Sequence, residues 1–149
     1  MTPFLLLKLV HVASAIVAVG ANATYAFWLR RAGHDRDRLV FVIETVHRLD
    51  MRVANPAYGL LLLTGIGMVA TGAYSFQQGW LATAIVLYVA VAIIGITVYA
   101  PAVRLQLAEA TSDPSSIAYG VIERRTTLLG LLTLAIVMLI VVLMVTKPF

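Results

Sequence analysis

Between Arg52 and Arg104 the chain carries no Asp, Glu, Lys or Arg, and a second charge-free run extends from Thr126 to Thr146. A helix needs about 20 apolar residues, at about 1.5 Å rise each, to cross the hydrocarbon core of a bilayer. The first run holds two such segments, divided at Gly72-Ala-Tyr-Ser-Phe-Gln-Gln-Gly79, whose glycines and polar residues mark a turn. The stretch from Pro3 to Leu29, stopped by Arg30 and Arg31, supplies another. With 61% hydrophobic and 12% charged residues and a mean hydropathy of +0.94, a soluble domain is excluded. Open strands leave backbone groups unpaired in lipid, and these runs lack the alternation of a barrel. The expectation is an all-α fold, an integral membrane four-helix bundle forming one domain over residues 1–149, with spans about 4–29, 53–73, 80–103 and 126–146.

The net charge of +4 is explained by membrane topology rather than by nucleic acid, because the basic residues flank apolar spans. Arg30, Arg31, Arg36, Arg38, Arg48 and Arg52 lie between spans one and two, and Arg104, Arg124 and Arg125 between three and four. Only Lys8 and Lys147 lie on the other side, so both termini are expected outside and the two charged loops in the cytoplasm. Lys8, the following apolar stretch and Ala21-Asn22-Ala23 imitate a cleavable signal. His11 within the apolar region, and the continuation of the run to Leu29, favour a retained span. With no cysteine, thiol chemistry is excluded.

From Asp35 to Arg52 the apolar residues Leu39, Ile43, Val46, Leu49 and Val53 recur at helical spacing, with Glu44, His47, Arg48 and Asp50 as the polar positions. This is read as an amphipathic cytoplasmic segment running into span two, with a kink at Pro56. Glu44-x-x-His47 has the spacing of a carboxylate-bundle metal motif but lacks its companions, and is read as a solvated face.

Helical phase assigns an inward stripe to each span. On span one it comprises Lys8, His11, Ser14, Ala15, Ala18, Asn22 and Tyr25; on span three Tyr88, Ala92, Gly95, Tyr99 and Ala102; on span four Thr126, Gly130, Thr133, Val137 and Met144. Span two carries Gly59, Gly65, Gly67 and Gly72, a surface for close helix packing, for a flat cofactor or for a homodimer. Tyr58, Gly65, Met68 and Gly72 share one of its faces, which could border a pocket.

His11 is the sharpest chemical candidate, since an ionisable side chain within a span faces the bundle and finds a partner. Imidazole ligates haem iron or copper, so His11 is the metal-ligand candidate, with a neutral hydrogen-bonded histidine as the alternative. Lys8, one turn away, snorkels to headgroups or meets an anionic group such as a haem propionate. Met68, Met138 and Met144 are available as second ligands. His47 belongs near the inner surface, about 20 to 30 Å from His11, so the two do not share a metal.

Leu7-Lys8-Leu9-Val10-His11, Asn55-Pro56, Leu63-Thr64-Gly65, Trp80-Leu81, Pro101 and the closing Leu143-Met144-Val145-Thr146-Lys147-Pro148 form an ordered pattern across almost the whole chain. This pattern resembles a family of predicted bacterial integral membrane proteins, itself similar to the CopD-like and HemJ-type group of four-helix membrane domains. That group includes copper-resistance permease domains and the membrane-bound protoporphyrinogen oxidase of haem synthesis. In the latter, a Lys-x-x-His opening the first span resembles Lys8-Leu9-Val10-His11, and its histidine is implicated in haem binding. The resemblance implies a protein of the bacterial inner membrane and supports His11 and Lys8 as cofactor-binding residues, to which the position of the spans adds Met68 and Met144 as candidate second ligands. A haem-b-binding bundle with a redox or electron-transfer role is the first expectation. A small permease or accessory subunit for copper or another solute, and a structural subunit docking a larger membrane complex, are the alternatives. Whether the chain is an enzyme stays open.

Overall fold

The computed structural model describes residues 2–148 and consists of four long helices, with no strand among those residues. They are α1 (Pro3–Ala32), α2 (Arg36–Ala70), α3 (Gly79–Ser112) and α4 (Ile117–Thr146), each long and apolar enough to cross a membrane. Their boundaries follow local chemistry. Thr2 accepts from the Leu5 amide, with Pro3 at the first helical position. Asp35 Oδ1 accepts from the Arg38 amide at 2.9 Å, and Ser116 Oγ from the Tyr119 amide at 3.0 Å. Gly33 and Gly72 take positive φ just after α1 and α2, where a side chain is disfavoured.

Both central helices contain one π-helical turn, Asp50–Ala54 in α2 and Gly95–Tyr99 in α3, and each is followed two residues later by a proline. A proline lacks the N–H of the next α-helical bond and its ring crowds the preceding turn. The wider turn absorbs that conflict: the Asn55 amide bonds to the Asp50 carbonyl and the Ala100 amide to the Gly95 carbonyl, five residues back. Neither helix breaks. α2 therefore carries the amphipathic segment and the second span as one rod, and α3 continues past Pro101 to Ser112.

The π turn also changes which residues face inward. Leu39, Ile43 and Val46 are buried as expected, but Leu49 and Val53 are 41% and 38% exposed. The interior line passes instead through half-buried Asp50 to buried Ala54, Ala57, Thr64 and Met68. The charge of Asp50 disguised it as part of the solvated face. Ala92 is likewise exposed, whereas the remaining stripe residues of α3 and all those of α4 are inward or partly so.

Two kinds of packing hold the molecule. At the ends of the spans expected inside, Ala32, Leu39, Ile43, Ala110 and Tyr119 form a core with Leu29, Val40, Val103 and Leu107 around it, drawn from all four helices. Here water surrounds the bundle and apolar burial drives assembly. Within the charge-free spans, large residues such as Ile16, Val86 and Ile96 stay 69%, 68% and 75% exposed, because lipid is as apolar as a protein core. Close approach there uses small residues: Ala18 and Ala84 are almost wholly buried. α1 packs along α2 and α3 along α4, while α2 and α3 pack backbone to backbone only through Arg36–Leu49 and Ala100–Ser112; beyond these their backbones stand further apart, joined by the hydrogen bond of the Tyr88 hydroxyl to the Tyr58 carbonyl.

At the outer end the Tyr74 ring meets Phe4 at 6.1 Å and Trp80 at 5.6 Å between centroids. Lys147 Nζ lies 4.6 Å from the Tyr74 centroid and donates to the Tyr74 hydroxyl at 3.1 Å. An aromatic and cationic cluster of this kind suits a headgroup interface.

Candidate functional site

His11 lies on the second line of contact between α1 and α2. Its Nδ1 is 2.9 Å from Thr64 Oγ1. The threonine hydroxyl has one proton, and its shortest contact is donation to the Leu60 carbonyl at 2.6 Å. That leaves Thr64 Oγ1 as the acceptor and His11 Nδ1–H as the donor, a tautomer in which Nε2 carries the free lone pair. Among the described residues nothing hydrogen-bonds to Nε2. A histidine held through Nδ1 with Nε2 bare is the arrangement of a metal-ligating imidazole.

Two glycines make this approach close. A Cβ placed on Gly65 meets His11 Cε1 at 3.5 Å, and one on Gly67 meets the Leu7 methyls at 3.2 Å. α1 itself thus fills this part of the glycine-rich face, which is not a slot for a flat cofactor or for a second copy. Gly59, by contrast, has nothing within 4 Å.

The other candidates spread around His11 rather than converging on it. Lys8 is exposed, one turn outward on the same helix. Met68 is buried on α2 one turn beyond Thr64, about 6 Å further out along the helix. Met144 is half-buried near the outer end of α4, one turn before Lys147, and Met138 is 47% exposed. His47 precedes Thr64 on α2 by about 25 Å of helix, so the two histidines do stand at opposite ends of the span. Glu44 pairs with Arg48 at 2.9 Å, in keeping with a solvated face. No three His, Asp or Glu side chains gather into a metal-holding group among the described residues.

A second polar region lies deeper toward the inner side. Asn22 Nδ2 donates to the Tyr58 hydroxyl at 2.7 Å, and the Tyr88 hydroxyl donates to the Tyr58 carbonyl at 2.9 Å, tying α1, α2 and α3 together. Tyr99 packs on Gly130 of α4, with Cε2 3.6 Å from a Cβ built there. Half-buried Asp50 opens the π turn of α2, against which α1 packs. Helical phase named Asn22, Tyr25, Tyr88 and Tyr99 as inward residues. It missed Asp50 and Thr64, although both fall on the 3- and 4-residue spacing that links Val46, Ala54, Ala57 and Met68.

The chain belongs to a family of predicted integral membrane proteins, DUF2269, whose family model matches residues 5–148. No curated protein and no solved structure matches it.

Proposed function

We propose that this membrane bundle binds haem b through His11 Nε2 and serves a redox or electron-transfer role in the bacterial inner membrane, with both termini outside. The observation that carries the reading is the 2.9 Å contact of His11 Nδ1 with Thr64 Oγ1: with the threonine proton directed to the Leu60 carbonyl, Oγ1 accepts from Nδ1–H, and Nε2 keeps its lone pair without a partner among the described residues. The residues fit one imidazole ligand. Lys8 is suited to a propionate, being cationic, exposed and one turn from His11. Met68 and Met144 are the candidates for a second, softer ligand, and both lie outward of Thr64.

Packing of α1 against Gly65 and Gly67 argues against a porphyrin between those helices. The side of the bundle where the outer halves of α2 and α3 diverge is the more favourable entrance. When bound, haem b would supply a one-electron couple. The chain's own contribution is to fix the imidazole, keep it neutral and limit the approach of water through the apolar span.

The test is an absorption spectrum of the detergent-solubilised protein, oxidised and reduced, before and after haem supplementation. A Soret band is expected in the wild type and its loss or shift in His11→Ala. A wild-type protein without a Soret band after supplementation overturns the proposal.

A further inference from the structure

One carboxylate reaches the interior face of the bundle without a cation bonded to it. Asp50 opens the π turn of α2 and continues the line of Leu39, Ile43 and Val46 toward Ala54 and Ala57, all five of them buried. The ion pair found among the described residues is Glu44–Arg48, which leaves Asp50 outside any salt bridge. An ionisable group on the inward face of a span is costly to keep and marks a proton or ion path when it is kept.

The neighbourhood supplies phenols and one imidazole. α1, which carries Tyr25, packs against the π turn that Asp50 opens; Tyr58 and His47 lie on α2 itself, and Tyr99 closes the π turn of α3, backed by the neutral Gly130 of α4. Tyr25 is independent testimony. It is only 6% exposed, and its hydroxyl is a buried polar atom with no hydrogen-bond partner among the described residues. Such orphaned groups are rare and call for a reason. A phenol can donate to a carboxylate and accept from a carboxylic acid, so through one bridging water it could serve Asp50 in either protonation state.

We propose that Asp50 is an interior proton-binding site, with Tyr25 as its hydrogen-bonding partner and His47 as its link to the inner aqueous phase. His47 lies one turn before Asp50 on the same helix, at the i, i+3 spacing that places the two side chains as neighbours. In the uptake step an N–H bond of the His47 imidazolium breaks and an O–H bond forms on Asp50, leaving neutral imidazole and carboxylic acid. The imidazole then regains its proton from hydronium, which becomes water. No electron moves. A single carboxylate among neutral hydroxyls accepts one positive charge, and the competing occupant is a hard monovalent cation.

This site is separate from His11 and stands whether or not haem binds. The experiment is infrared difference spectroscopy of the full chain as purified, reconstituted in lipid nanodiscs, during a pH titration at fixed Na+ and then a Na+ titration at fixed pH. Wild type is compared with Asp50→Asn, Tyr25→Phe and the exposed control Asp37→Asn, with circular dichroism to establish that each is folded. A carboxylic-acid C=O band that changes with pH is expected, lost in Asp50→Asn, shifted in Tyr25→Phe and retained in Asp37→Asn. Should Asp50→Asn be unfolded, the Tyr25→Phe shift alone carries the assignment, and an unshifted band overturns it. Identical spectra for wild type and a folded Asp50→Asn, or a band that follows Na+ at fixed pH, likewise overturn the proposal.

Discussion

The Thr64 hydroxyl has a single proton, and its destination decides what His11 is able to do. Because that proton goes to the Leu60 carbonyl, the imidazole donates from Nδ1 and presents Nε2. Thr64→Val keeps the shape of the side chain and removes the acceptor. Outer-shell partners of metal-binding histidines are worth roughly 10- to 100-fold in affinity, so haem retention is expected to fall by that factor, read by titrating haem against the Soret absorbance. Unchanged retention would show that Thr64 does not orient the ring. His11, Asn22 and Tyr25 were legible from the phase of α1 alone, since one helix dictates its own face. Thr64 was not, because the axial register of α2 against α1 is set by Leu7 entering at Gly67 and His11 at Gly65. Asp50 was hidden for a different reason: its charge outweighed its position, and the π turn that admits Pro56 alters the phase beyond Leu49.

Along each helix, the energetic value of a side chain depends on the solvent it leaves behind. Leu39 and Ile43 are 1% and 2% exposed in the inner core, which lies among the charged ends of the helices where water is the alternative. Truncating either to Ala is expected to cost about 2 to 5 kcal/mol. Ile16 and Ile96 are about as large but face outward along the spans, and their Ala variants should lie within about 0.5 kcal/mol of wild type. Denaturant titrations of the detergent-solubilised variants, followed by helicity, distinguish these two groups. If Ile96→Ala is as damaging as Ile43→Ala, the span buries that residue against something other than lipid. The cap of α2 belongs to the same account. Asp35→Ala removes the acceptor of the Arg38 amide and should lower stability by about 1 kcal/mol in the same titration. The amphipathic segment was legible from its period. Its continuation into the second span was legible too and holds as one 35-residue helix; the π turn before Pro56 is what no periodicity discloses.

For the whole molecule, the asymmetry between the two ends of the bundle is both structural and electrostatic. The end expected inside has an apolar core and the segments that carry nine arginines, whereas the end expected outside carries Lys8 and Lys147 with the Phe4, Tyr74 and Trp80 cluster. Translocating the inner end would carry those arginines across the bilayer, while the outer end asks this of two lysines, one of them lying over an aromatic ring. Both termini are therefore expected outside. The absence of native cysteine makes this directly measurable with single replacements at exposed loop positions. Ser75→Cys, between α2 and α3, should react with a membrane-impermeant maleimide in intact cells or right-side-out vesicles. His34→Cys and Ser115→Cys, between α1 and α2 and between α3 and α4, should react only after permeabilisation. The reverse labelling pattern would place the arginine-rich core outside. It would also move the proposed aqueous entrance at His47 to the opposite side of the membrane, since Asp50 and His47 sit on the inner half of the same rigid helix.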